Sequence, residues 1–165
     1  RSRGLGDVYK RQGLQDPLTK KRYIPFVIEP SAGLDRGVLA ILVDSYRKEL
    51  LPNGDTRIVL DIAPHLAPFK AAVVPLAKNN VDIVQKGKQI HSQLQQLGLG
   101  RIRYEDTGNV GKAYRRNDEI GTPICITVDF DTLSDNMVTV RDRNSMQQER
   151  ILISKLPDII RSFFN

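Results

Sequence analysis

Eight consecutive residues, Glu29-Pro30-Ser31-Ala32-Gly33-Leu34-Asp35-Arg36, put an acid, a hydroxyl, a glycine and an arginine between an alternating apolar segment and an amphipathic stretch of helical period. A carboxylate can hold an ammonium group, and a hydroxyl beside it adds a hydrogen bond. Glycine lets the backbone approach a ligand closely. An arginine in the first helical turn reaches an anion lying near the helix N-terminus. The set suits a pocket that binds an ammonium and a phosphate together. The plainer alternative is a surface glutamate, a capping serine and an arginine in solvent, and spacing alone leaves both open.

Three further stretches have chemical potential. Asp106-Thr107-Gly108-Asn109-Val110-Gly111-Lys112 has the look of a phosphate loop but lacks the full Walker spacing, so a tight turn with a polar helix cap explains it as well. The tandem Arg115-Arg116 on the following short helix is either a solvated face or a contact for a nucleic-acid backbone. Thr139, Arg141 and Arg143 share one side of a strand because their spacing is two. With Asp142 nearby they offer donors and acceptors for single-stranded base edges, or else charges that keep an edge strand from aggregating. His65 and His91 are isolated, and His91 adjoins an apolar stripe. No Cys or His cluster has metal-ligand spacing, so no metal site is expected, and Cys125 lies inside a strand pattern.

The elements that must position these residues read as follows. Asp16 to Lys21 is a turn. Tyr23 to Glu29 alternates as a strand that would end at Glu29. From Leu34 the period becomes 3.6, with Leu34, Val38, Ile41, Leu42 and Leu50 on one helical face, and Pro52-Asn53-Gly54-Asp55 ends the unit. Residues 55–69 form a connector that opens with a short apolar strand (Ile58, Val59, Leu60), with a domain boundary near Pro64. Beyond it Ala71 to Leu76 is a buried strand, and Asn80 to Leu97 is a helix with Val81, Val84, Ile90, Leu94 and Leu97 inward and Gly98 as its stop. Strands follow at Arg101 to Glu105, Ile124 to Val128, Met137 to Arg143 and Arg150 to Ile153, and Ser154 caps a last helix. That order predicts an α/β fold, a mixed sheet with helices on its faces.

Composition narrows the function classes. The 165 residues are 40% hydrophobic and 27% charged, an ordinary globular balance. No apolar run reaches the roughly 18 residues of a membrane span. The net charge of +6 invites a nucleic-acid partner, but seven basic groups against two acids in residues 1–22 carry most of it. The opening RSRGLGDVYKRQ shows no periodicity and reads as adaptor or vector sequence, so residues 1–15 are expected to be a non-native or disordered leader.

With these segments laid out, the chain resembles the C-terminal part of the class II, homodimeric glycyl-tRNA synthetases from about residue 16 onward. The stretches that carry the resemblance are DPLTKKRYIPFVIEPSAGLDR, APHLAPFKAAVVPL, DTGNVGKAYRRNDEIGTP, TVDFDTL and TVRDRNSMQQER. Among synthetases that share this C-terminal fold, EPSAGLDR and DEIGTP favour glycine. The resemblance implies that residues 16–63 are the end of the catalytic core and hold its third signature motif, and that 64–165 are an anticodon-binding domain. Glu29, Pro30, Ser31, Ala32 and Gly33 would line the glycine pocket. Gly33, Leu34, Asp35 and Arg36 would face ATP, with Arg36 the catalytic residue that neutralises charge as glycine attacks the α-phosphate. Arg141, Arg143, Thr139, Arg115 and Arg116 would contact tRNA. Implied partners are tRNA(Gly), glycine, ATP with Mg²⁺ (bound mostly by other parts of the family's catalytic domain) and a second subunit, in the cytoplasm, with no membrane. The first and second class II motifs are absent, so this chain alone is expected to be inactive. Asn109 and Ala113 stand where the family has Ser and Arg. The competing reading is a non-catalytic RNA-binding module of the same fold, which has no need of Glu29, Ser31 and Arg36.

Overall fold

A computed structural model describes residues 13–163 apart from Pro25, Val27 and Glu29. The chain divides into two compact units, Arg1–Arg36 and Gly37–Asn165. In the first, β1 (Leu14–Gln15) pairs antiparallel with β2 (Arg22–Tyr23). The expected turn joins them: the Asp16 carboxylate accepts from the Leu18 N–H at 2.9 Å and the Thr19 hydroxyl at 2.7 Å. Residues 14 and 15, read as leader, are thus part of a ladder, while residues 1–12 lie outside the described residues. The strand expected over Tyr23 to Glu29 is confined to Arg22–Tyr23; Ile24, Phe26 and Ile28 are exposed and in no ladder. Alternation supplies a face but not partners for the backbone N–H and C=O groups, and among the described residues no strand supplies them.

Helix α1 (Leu34–Ser45) begins where the period changes, with Asp35 in its first turn opposing the helix dipole. It stops five residues before Leu50. Tyr46–Leu50 is instead β3, paired antiparallel in full register with β4 (Thr56–Leu60). The cause is the turn between them. Gly54 takes φ +84°, Asn53 bonds Asp55, and the Leu51 N–H donates to the Asp55 carbonyl. That turn aims the chain back along itself and outweighs helical continuation.

The remaining residues build a five-stranded sheet of order β6-β5-β7-β8-β9. Its elements are β5 (Ala71–Pro75), α2 (Val81–Gln96), β6 (Ile102–Tyr104), α3 (Val110–Glu119), β7 (Ile124–Val128), α4 (Thr132–Asp135), β8 (Met137–Asp142), β9 (Gln148–Leu152) and α5 (Leu156–Ser162). β5 runs parallel to β6 and β7, and β8 and β9 add as an antiparallel hairpin. On one face Val73, Ile126, Val138 and Val140 meet Ile83, Ile90 and Leu94 of α2 and Leu156 and Ile160 of α5 in the core.

The inward stripe of α2 is Ile83, Gly87, Ile90 and Leu94, and Val81 is exposed, against the sequence expectation. The Asn80 side chain accepts from the Ile83 N–H at 3.0 Å, placing Val81 in the first turn, away from the core. Gly87 sits where a Cβ would come within 3.4 Å of the Tyr104 ring, so the helix lies close on β6. At the far end Gly98, at φ +67°, is the expected stop. Ser154 lies in a 3-10 turn (Ile153–Lys155) ahead of α5 and caps nothing, because Pro157 in the first turn of α5 sets the start of that helix. Among the described residues no helix is long and apolar enough to cross a membrane.

Candidate nucleic-acid interface

The second face of the sheet is polar along β8 and β9. The register pairs Cys125 with Arg141, Thr127 with Thr139, Thr139 with Arg150 and Arg141 with Gln148, which puts all six on one side. α3 lies against this side. Its Tyr114 hydroxyl meets the Thr127 Oγ1 at 2.6 Å, and the Arg141 guanidinium stands 4.7 Å from the Tyr114 ring centre, a cation–π distance. One turn on, Asp118 accepts from both terminal nitrogens of Arg141, at 2.8 and 3.0 Å. Its Oδ2 also accepts from the Arg57 Nε at 3.0 Å. Asp118 is 1% exposed, Arg57 4% and Arg141 5%. Burial opposes the Arg141 charge, but the bonds and charge of Asp118 outweigh it and leave its pKa raised.

Arg143, 3% exposed, follows β8 and donates to the Gly121 carbonyl at 2.8 Å, to Asp61 at 2.9 Å and to Asn144 at 2.8 Å. Here burial prevails over the attraction of Asp61 and the pKa is lowered. The sequence reading takes Arg141 and Arg143 as donors free for base edges; the structure encloses both and satisfies them internally. A buried guanidinium requires a counter-charge, and α3 and the chain after β4 bring one to each. Thr139 is half-buried, Gln148 exposed, and Arg150 half-buried between Asp129 at 2.7 Å and Asp135 at 2.9 Å.

Arg115 is exposed and 3.6 Å from Asp55, whereas Arg116 is turned to Glu105 at 3.0 Å and to the Thr107 carbonyl. Glu105 itself is 3% exposed and accepts as well from Arg103 and from the backbone and hydroxyl of Thr107. Burial would raise its pKa, but the Thr107 and Arg116 bonds hold it below the usual carboxylate value. Loop 106–112 is a cap: Asn109 accepts from the Lys112 N–H at 2.8 Å. His91 bonds the Ile102 carbonyl at 3.0 Å and meets Tyr104 edge-on, as packing requires. Cys125 is buried, its thiol pushed up to about 12 by that burial. His65 is exposed, and among the described residues no cluster of three or more His, Cys, Asp or Glu could hold a metal ion.

Several residues of this face escape sequence reading. Tyr114 and Asp118 carry a signal, being four apart on one helical face. Arg57 carries none, because its partner is 61 residues away. Phe69, under the Arg101 and Arg103 guanidiniums at 5.0 and 5.7 Å, is visible only once β6 lies beside it.

Of the run 29–36, Glu29 lies outside the described residues. Pro30, Ser31 and Ala32 are exposed and precede α1 without regular structure. Gly33 abuts the helix, and the Arg36 stem lies 3.8 Å from where a Gly33 Cβ would sit. Leu34, Asp35 and Arg36 form the exposed first turn.

A similar fold is found in a solved aminoacyl-tRNA synthetase. A histidyl-tRNA synthetase from a Nostoc species superposes with a TM-score of 0.53 over 59% of this chain and 23% of that one, at 18% identity, which shows the fold. Residues 70–163 match the family model of the anticodon binding domain, and the chain belongs to that family. Curated relatives include proteins named glycine–tRNA ligase from Deinococcus radiodurans (57% identical over 85% of this chain), Thermus thermophilus (50% over 92%) and Alkaliphilus metalliredigens (52% over 86%). The chain spans only 29 to 32% of the length of these relatives.

Proposed function

We propose that this chain is the C-terminal piece of a glycine–tRNA ligase, which activates glycine with ATP and transfers it to tRNA(Gly). The observation that carries this reading is the 57% identity to a protein named glycine–tRNA ligase, which covers 85% of the chain and so reaches beyond the anticodon-binding residues 70–163. Residues 16–63 then close the catalytic domain and 64–165 recognise the anticodon. Glu29, Pro30, Ser31, Ala32 and Gly33 line the glycine pocket, with Glu29 holding the ammonium. Gly33 to Arg36 meet ATP, and Arg36 offsets the phosphate charge that builds as the carboxylate attacks. The exposed apolar side chains of α1, among them Val38, Leu39, Leu42 and Val43, support its membership of a larger core. Mg²⁺ enters with ATP as substrate, and the described residues offer no cluster of three or more His, Cys, Asp or Glu to hold it. The whole protein acts as a cytoplasmic homodimer.

On the anticodon side, Thr139 and Arg115 are the accessible members of the set Thr139, Arg141, Arg143, Arg115 and Arg116. The three buried or turned-in arginines shape the face that tRNA meets. The test is the complete protein in glycine-dependent ATP–pyrophosphate exchange and glycylation of tRNA(Gly). Exchange is expected with the complete protein, at least a hundredfold less with its Arg36→Ala variant, and none with residues 1–165 alone. Absence of exchange with glycine in the complete protein would support a non-catalytic RNA-binding module instead.

A further inference from the structure

Asp118 stands where three parts of the second unit meet. α3 carries it, β8 supplies Arg141, and the β3–β4 hairpin supplies Arg57. Each of the three Arg57 nitrogens has a partner: Nε is on Asp118, Nη1 on Glu49 at 3.0 Å and Nη2 on the Arg143 carbonyl. Oδ2 of Asp118 is shared by the Arg57 Nε and the Arg141 Nη2, both at 3.0 Å. Without Arg57 the carboxylate has one guanidinium partner in place of two, and its Oδ2 is no longer held from the hairpin side. The two-point grip of Asp118 on Arg141, which sets it under Tyr114, then lacks the hairpin's support. Arg57 and Glu49 both lie outside the residues 70–163 that match the anticodon binding domain, so that span does not contain everything that organises its own polar face.

We infer that Asp118 and Arg57 are positioning residues: the hairpin, acting through Asp118, fixes Arg141 and Tyr114 on the sheet face that discriminates the anticodon. The inference rests on the proposed recognition of tRNA(Gly). Arg57→Gln in the full chain removes the hairpin's hold and leaves the Asp118–Arg141 pair chemically intact.

The first readout needs no RNA. The Arg141 side-chain guanidinium NMR signals, separate and restrained in the parent, are expected to average and exchange faster in Arg57→Gln. The second is the ratio of affinities for an anticodon stem-loop of tRNA(Gly) and for one with both anticodon C bases replaced, expected to fall at least fivefold. Ile90→Val, which loosens the core on the opposite face, controls for simple destabilisation and should leave both readouts unchanged. If Arg57→Gln does not fold, Glu49→Gln, at the half-exposed end of the same arginine, should shift both readouts the same way by less.

An Arg141 signal equally restrained in the folded variant would overturn the inference, as would a retained affinity ratio where the parent discriminates. A parent that does not discriminate, with Arg141 released by Arg57→Gln, would retire the anticodon reading and uphold the link.

Discussion

Arg57 and Asp118, 61 residues apart in sequence, meet in a 3.0 Å ion pair with both side chains almost wholly buried. The pair ties the β3–β4 hairpin to α3, and Arg141 closes it into a triad with one acid between two bases. Such a group is sensitive to the loss of one member, because the charges left behind have no water to turn to.

Asp118→Ala should therefore be among the most damaging single substitutions in the chain. It strands two buried guanidiniums, and the expected loss is about 3–5 kcal/mol of unfolding free energy. Urea denaturation followed by far-UV circular dichroism measures it; a loss below about 1 kcal/mol would mean that the triad is solvated.

Gly121 is held at φ +80°, and a Cβ there would lie 2.5 Å from Ile62 Cγ2 and 3.0 Å from the Leu60 carbonyl oxygen. Gly121→Ala combines a strained backbone with a clash against main chain, and should cost roughly 2–4 kcal/mol. Gly54, also at positive φ but with open space around it, should lose only about 1 kcal/mol when changed to Ala. Thermal melts of the two variants side by side test the difference.

Glu105 gives the fold an acid-sensitive element. Its folded pKa lies below the ordinary 4.5, so its contribution is complete above about pH 4.5 and disappears as pH falls through the lower folded value. Glu105→Gln should destabilise the protein at pH 7, since Arg103 and Arg116 lose their common counter-charge. The gap between variant and parent should narrow steadily below pH 4.5. Melting temperatures from pH 3 to 7 would show it, and a gap constant with pH would contradict the assignment.

Much of this was legible in the sequence wherever the cause is local. Val138 and Val140 alternate because one face of β8 is core, and Gly98 ends α2 because its positive φ suits that residue. The mixed sheet follows from such segments in order. The Tyr46–Leu50 strand was hidden, since its helical continuation looks sound until it is paired with the strand at Thr56–Leu60, of which the sequence showed only the apolar stretch Ile58 to Leu60. The face carrying Arg141 was misread for the same reason. Spacing of two puts Thr139, Arg141 and Arg143 on one side, but whether a guanidinium there meets solvent or Asp118 depends on where α3 packs. Burial is a tertiary property, and neither arginine carries a local mark of it. The Gly33–Arg36 junction was placed correctly at the start of α1.

The central claim is tested most directly by binding of residues 1–165 to tRNA with a glycine anticodon, against the same tRNA with its second and third anticodon C bases changed. The account predicts at least a tenfold preference for the C-bearing tRNA, persisting as salt is raised, and weakened by Thr139→Ala or Arg115→Ala with little loss of stability. Equal affinities that collapse together with salt would contradict it, leaving a basic surface that holds phosphates without reading bases.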